Sequence, residues 1–213
     1  MNDSAWVTWH DEYDDPESYL SHRLALVRSR IRDALDASPA GQITVISMCA
    51  GQGRDLLGVL ATHPRRNDVR ARLVELDEHN VAYARATARE AGLDAVDIVL
   101  ADASQTNVYA GMVPADLVLA CGVFGNITDA DIQRTVRALP MMCAPGAIVI
   151  WTRHRREPDL TPTLRGWFAD AGFHEVAFDT EPGFHFSVGT HRYTGEFTPF
   201  ARYFRLFTFV ERS

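Results

Sequence analysis

From Leu20 onward the apolar positions recur at steps of three and four: Leu20, Leu24, Val27, Ile31 and Leu35. That spacing predicts a helix with one face turned to a core, broken by Pro39-Ala40-Gly41. Asp15-Pro16 ahead of it reads as an N-cap followed by proline at the first helical position. Beyond residue 40 the pattern becomes short apolar runs separated by helical stretches. Ile43–Met48, Arg70–Leu76, Val96–Ala101, Asp116–Cys121 and Ile148–Thr152 read as strands. Asp55–Ala61 reads as a helix. A second carries Val81, Ala84, Ala88 and Ala91 on one face and stops at Gly92, and Ala130–Leu139 is a third, ending at Pro140. Strands alternating with helices imply right-handed crossovers and a parallel sheet covered on both faces.

The last third differs. Thr161-Pro162 opens a helix with Leu164, Trp167 and Phe168 that stops at Gly172. Phe173–Phe178, Phe186–His191 and Tyr203–Val210 follow as strand-like runs with no helix between them. Runs joined only by loops pair antiparallel, so the architecture expected is α/β: five parallel strands with an antiparallel ending. Residues 1–39 are expected to be a helical extension or lid, and residues 40–213 the main domain.

Composition narrows the function. A chain of 213 residues with 46% apolar and 23% charged residues suits one large domain with a full core. No apolar run reaches the length of a membrane span, and the N-terminus is acidic and aromatic where a signal peptide is basic and then apolar. The cytoplasm is the expected location, with no membrane partner. A net charge of −7 argues against a nucleic-acid footprint. All 21 basic residues are arginine, which removes Schiff-base chemistry and a P-loop lysine. Cys49, Cys121 and Cys143 lack CxxC spacing, no histidine stands at metal-ligand spacing, and there is no G-x-S-x-G elbow. Neither a disulfide nor a metal is expected.

Ligands of doubly wound sheets bind outside the carboxyl ends of the strands. There the chain places Met48-Cys49-Ala50-Gly51-Gln52-Gly53-Arg54-Asp55, a turn whose glycines allow close backbone approach. The second strand ends in Glu75-Leu76-Asp77. Asp77, with Glu78 beside it, is positioned for ribose hydroxyls, although Asp77 also suits a helix N-cap. The third strand ends in Ala101-Asp102-Ala103, and Asp102 is placed to accept from an adenine amino group.

The run Ile46–Asp55, then Glu75-Leu76-Asp77, then Ala101-Asp102-Ala103, resembles the first three motifs of the class I S-adenosylmethionine-dependent methyltransferases. Asp116–Gly122 resembles their fourth strand, and Ala171-Gly172-Phe173 the turn before their sixth. The resemblance covers roughly residues 40 to 192. It implies a Rossmann-like three-layer sandwich, a mostly parallel seven-stranded sheet with a reversed last strand, and S-adenosyl-L-methionine as cofactor with S-adenosyl-L-homocysteine as product. By position it implies that Cys49, Ala50, Gly51 and Gly53 meet the methionine portion, Asp77 and Glu78 the ribose, Asp102 and Ala103 the adenine, and Cys121 the sulfonium end. Ser47 stands where the family often has an acid, and Cys49 where its first glycine usually sits. The rival, a nicotinamide-binding oxidoreductase, needs a third glycine where Leu56 stands. A binding protein without catalysis is a further alternative.

The expected acceptor is a small molecule, and the aromatic N-terminus suits an aromatic one. In Thr152-Arg153-His154-Arg155-Arg156, His154 is a candidate base and the arginines are candidates to recruit an anionic substrate, the alternative being a solvated basic loop. Trp6, Trp9, His10 and Tyr13 are candidates to cover the site, with His10 and Tyr13 also candidate catalytic groups. Phe124, Gly125 and Asn126 fall where a substrate-facing loop is expected. His185 is a candidate to reach the pocket, whereas His191 reads as structural.

Overall fold

The structure, a computed structural model, describes residue 15 and residues 17–210. Trp6, Trp9, His10, Tyr13 and Pro16 lie outside the described residues. Helix α1 (Tyr19–Ala37) precedes strand β1 (Ile43–Met48), helix α2 (Leu56–Leu60), β2 (Val69–Glu75), α3 (Glu78–Glu90), β3 (Val96–Leu100) and β4 (Ala115–Ala120). Then come α4 (Asp129–Ala138), β5 (Cys143–His154), α5 (Thr161–Asp170), β6 (Phe173–Thr180) and β7 (Phe186–Tyr193). The seven strands form one sheet in the order β3-β2-β1-β4-β5-β7-β6. All neighbours are parallel except β7, which runs against both β5 and β6. This is the three-layer, mostly parallel sandwich with antiparallel C-terminal strands.

β1 and β4 are buried along almost their whole length, as central parallel strands covered on both faces must be. One face is packed by α1, α2 and α3 through Val27, Ile31, Leu56, Leu60, Val81 and Ala84. The other is packed by α4 and α5 through Ile132, Val136, Leu164 and Phe168. Strand order reverses between β1 and β4, so the loops leaving those two strands diverge to opposite faces and open a crevice at the carboxyl edge.

Three expectations are corrected. Asp15 does not cap α1: the N-cap is Ser18, whose side chain accepts from Ser21 N, while Asp15 Oδ1 accepts from Glu17 N one turn earlier. β5 begins five residues before the apolar run, because a register shift between Ala115 and Leu117 lets it absorb Pro145 and Gly146. Tyr203–Val210 is not a strand of the sheet. It makes only isolated bridges, Gln105 with Arg205 and Ile127 with Phe209. The segment is a strap laid across the loops that follow β3 and β4. Leu206 N donates to Ser104 O, Thr106 N to Phe204 O and Val210 N to Asn126 O. The strap's Leu206 and Phe207 side chains are both fully buried.

Candidate active site

The turn after β1 is held from both sides. Ala50 N donates to Val74 O at 3.0 Å, tying it to β2. On the helix side Arg28 donates to Arg54 O through Nε and Nη2 at 2.9 and 2.6 Å. Among the described residues Cys49 is the non-glycine residue with a positive φ, +50°. It stands in the left-handed backbone region that suits a glycine. Gly51 has φ +55° and nothing within 4 Å of where a Cβ would lie, so its outer side is open for a ligand. Gly53 is required for another reason, since a Cβ there would come 2.7 Å from Leu73 and 2.9 Å from Leu57.

The acid at the last position of β2 is Glu75, and its carboxylate faces this turn. Oε2 accepts from Gly51 N at 2.7 Å, and Oε1 from Leu76 N and Asp77 N, each at 2.9 Å. Asp77 lies beyond the strand end as the N-cap of α3, with Oδ1 accepting from Asn80 N at 2.8 Å. Glu78 is the exposed first residue of that helix. Leu76, beside Glu75, is 66% exposed, and Leu100 at the end of the neighbouring β3 is 43% exposed. Asp102 follows, with Oδ1 accepting from Ser104 N at 2.9 Å and Oδ2 standing 3.8 Å from Arg205 of the strap. Ala103 is buried, and its carbonyl accepts from the hydroxyl of the buried Tyr109.

Across the switch point Cys121 directly follows β4. Cys49 packs into the core on the α4 and α5 side and Cys121 into the core on the other, so the two thiols flank opposite faces of the sheet. Burial pushes both thiols far above their ordinary pKa, with Glu75 and Asp102 adding to the shift at Cys49 and Asp55 at Cys121. They are packing groups, not thiolates. Asp55, the N-cap of α2, has its carboxyl pKa raised by burial, opposed by its backbone bonds and by Arg28 and Arg23. Asp55, Cys121 and Arg23 therefore share one electrostatic neighbourhood at the α1 side of the crevice.

Beyond Cys121, Gly122 N donates to Thr152 Oγ1 at 2.8 Å, fastening the loop after β4 to the end of β5. Asn126 turns back to donate to Gly122 O. His154 lies half-buried at the end of β5, and a Cβ on Gly125 would sit 3.6 Å from its Cδ2. His185 is exposed, and its carbonyl accepts from Arg155 N at 2.6 Å. α1 closes this end: His22 Nδ1 stands 2.7 Å from Glu181 Oε1, and Tyr19 packs edge-on against Phe184 and Phe186. His191 is buried, packed against Trp151 and Phe168. Glu75, Asp55 and Arg23 also stand at this edge, and the sequence pattern did not single them out. Glu75 carried a signal, an acid ending an otherwise apolar run; the other two depend on contacts between α1 and the glycine turn.

The fold is the α/β architecture of the class I methyltransferases. A family model, Methyltransf_20, described as "Putative methyltransferase", matches residues 21–166. The chain belongs to this family of methyltransferases. Among solved structures it is similar to magnesium protoporphyrin IX methyltransferase from Synechocystis, bound to S-adenosylmethionine. The identity is 13% and the TM-score 0.68, with 91% of this chain and 93% of that one covered. It is also similar to 1,6-didemethyltoxoflavin-N1-methyltransferase from Burkholderia thailandensis, bound to its substrate and S-adenosylhomocysteine, at 18% identity and TM-score 0.65 over 90% and 85% of the chains. The [4+2]-cyclase SpnF shares the fold at 16% identity and TM-score 0.56, over 78% and 81%. Likeness at these identities shows the fold, and a fold hosts more than one reaction. Among curated proteins the comparison finds no match.

Proposed function

We propose that the chain transfers the methyl group of S-adenosylmethionine to a small-molecule acceptor, with the cofactor lying across the carboxyl ends of β3, β2, β1 and β4. The observation that carries this is the Glu75 carboxylate at the end of β2, 2.7 Å from the amide of a glycine turn whose outer side is open. A carboxylate so placed accepts both hydroxyls of a ribose, and Asp77 is left to its helix cap. Leu76 and Leu100 supply the apolar surface an adenine ring covers, which accounts for two large exposed side chains at one strand edge. Asp102 accepts from the adenine amino group, beside Ala103. Cys49, Ala50, Gly51 and Gly53 line the methionine portion, and Cys121 lies next to the sulfonium. Asp55 and Arg23 match a zwitterion: the carboxylate faces the ligand's ammonium and the guanidinium its carboxylate. Asp55 thereby does the work of the acid that Ser47 replaces in β1.

The bound cofactor supplies an electrophilic methyl group on a good leaving group. The protein's share is then alignment of the acceptor and exclusion of water. The acceptor lies past Cys121, between Gly122–Asn126 and Thr152–Arg155. His154 takes the proton of a hydroxyl or ammonium acceptor. Residues 1–39 are the cover of this site, attached through α1 to the β6–β7 hairpin, and His10 and Tyr13 are its candidate contacts; residues 40–213 form the cofactor domain. A second reading, cofactor binding without methyl transfer, is favoured by Ser47 and Cys49 in the first motif. It predicts product binding with no turnover on any acceptor.

Calorimetric titration tests the cofactor assignment. S-adenosylhomocysteine is expected to bind one to one, and NAD not at all. NAD binding in its place would overturn the assignment.

A further inference from the structure

The edge of a guanidinium formed by Nε and Nη2 receives a carboxylate side-on. In Arg30 that edge is filled by Asp179 at 2.7 and 2.6 Å, and in Arg165 by Glu175 at 2.6 and 2.7 Å. In Arg28 it is filled by the carbonyl of Arg54. Arg153 differs. Its side chain is only 9% exposed, against 29% for Arg30 and 40% for Arg165. Nη1 donates to Phe124 O. Nε is buried with no hydrogen-bond partner. Nη2 has only Asp129 Oδ1, at 3.6 Å, outside hydrogen-bonding range. A withdrawn cation with its carboxylate-receiving edge unfilled is costly to keep unless a ligand completes it. Burial also lowers the Arg153 pKa, with Asp129 and Asp159 opposing the shift.

The position matters as much as the vacant edge. Arg153 precedes His154 at the end of β5 and holds the loop after β4 through the Phe124 carbonyl. Those two elements flank the acceptor side of the crevice. The chain's net charge of −7 repels anions in general, so one that binds here needs a local partner.

We propose that Arg153 receives a carboxylate of the methyl acceptor side-on through Nε and Nη2. The acceptor is therefore a small carboxylic acid, an assignment that rests on the methyltransferase reading. Since the edge is nearly covered, entry requires the Gly122–Gly125 loop to give way and Nη1 to release the Phe124 carbonyl.

The test uses the intact protein saturated with S-adenosylhomocysteine, with formate and benzoate as probes and benzamide as the neutral control. Nitrogen-15 spectra follow the Arg153 Nε–H signal, assigned by its absence from Arg153→Lys. Both carboxylates are expected to shift that signal, and benzoate to bind at least tenfold more tightly than benzamide. Arg153→Lys keeps the charge but not the fork and should weaken benzoate at least fivefold. Asp129→Asn removes the competing carboxylate and should bind benzoate at least as tightly as the wild type. The proposal is overturned if neither carboxylate moves the signal, if benzamide equals benzoate, or if Asp129→Asn loses benzoate as Arg153→Lys does. The last outcome would make the arginine and Asp129 a structural pair. Failure of the homocysteine product itself to bind would count against the methyltransferase reading instead.

Discussion

Glu75 and Asp77 stand two residues apart and face different groups. Glu75 gathers three backbone amides around the opening of the crevice, whereas Asp77 satisfies one amide of α3. Removing the charge in Glu75→Gln should weaken S-adenosylhomocysteine at least tenfold, about 1.4 kcal/mol or more, which calorimetry reads directly. Asp77→Ala should lower unfolding free energy by about 1 kcal/mol and leave affinity within roughly threefold. Both acids were visible in the sequence. Their division of labour was not, because it depends on where the strand stops. At Cys49 the left-handed backbone predicts that Cys49→Gly is tolerated within about 1 kcal/mol, while the β-branched Cys49→Val costs about 2 kcal/mol or more in urea unfolding. His191 gives a pH signature. Trp151 Nε1 donates to its Nδ1, and burial, opposed by Glu175 and aided by Arg165 and His174, lowers its pKa from 6.5 to about 4. The unfolded chain takes up this proton first, so stability is complete above pH 6.5 and falls as pH drops toward 4. The loss attributable to His191 approaches about 3 kcal/mol, and His191→Gln should flatten the profile of unfolding free energy over that window.

At the scale of elements, the strap is where pattern reading and structure part. Tyr203–Val210 is apolar enough to pass for a strand. Yet Leu206 and Phe207 are consecutive and both fully buried, which a strand with alternating faces does not allow when one face is in water. The segment is held from several sides: Arg134 and Thr135 donate to Leu206 O, and Asp131 Oδ2 accepts from Thr208 N. Phe207→Ala should therefore cost about 3–5 kcal/mol in denaturant unfolding. The same change should raise amide exchange in the loops at 101–106 and 122–127, which the strap pins. The strands and helices of the first 140 residues were legible because each carries its own period and stop signals. β5 was read short because Pro145 and Gly146 are poor strand residues, admitted here by an irregular register against β4.

At the scale of the whole molecule, the reversal of strand order between β1 and β4 brings the glycine turn, Glu75, Asp102 and Cys121 to one edge although they span more than seventy residues of sequence. Strand–helix alternation was enough to expect a parallel sheet, and the motifs were enough to expect its family. On the acceptor side the sequence offered candidates without their arrangement. Arg153, His154 and the Phe124 loop are brought together by contacts between β4 and β5, and their types alone match a solvated basic loop equally well. The cofactor account is tested most directly by a structure of the S-adenosylhomocysteine complex. It predicts the ribose hydroxyls on the Glu75 carboxylate, the adenine over Leu76 beside Asp102, and the ligand's amino acid between Asp55 and Arg23. A product bound elsewhere, or a ribose held by Asp77 while Glu75 keeps its bond to Gly51 N, would contradict it.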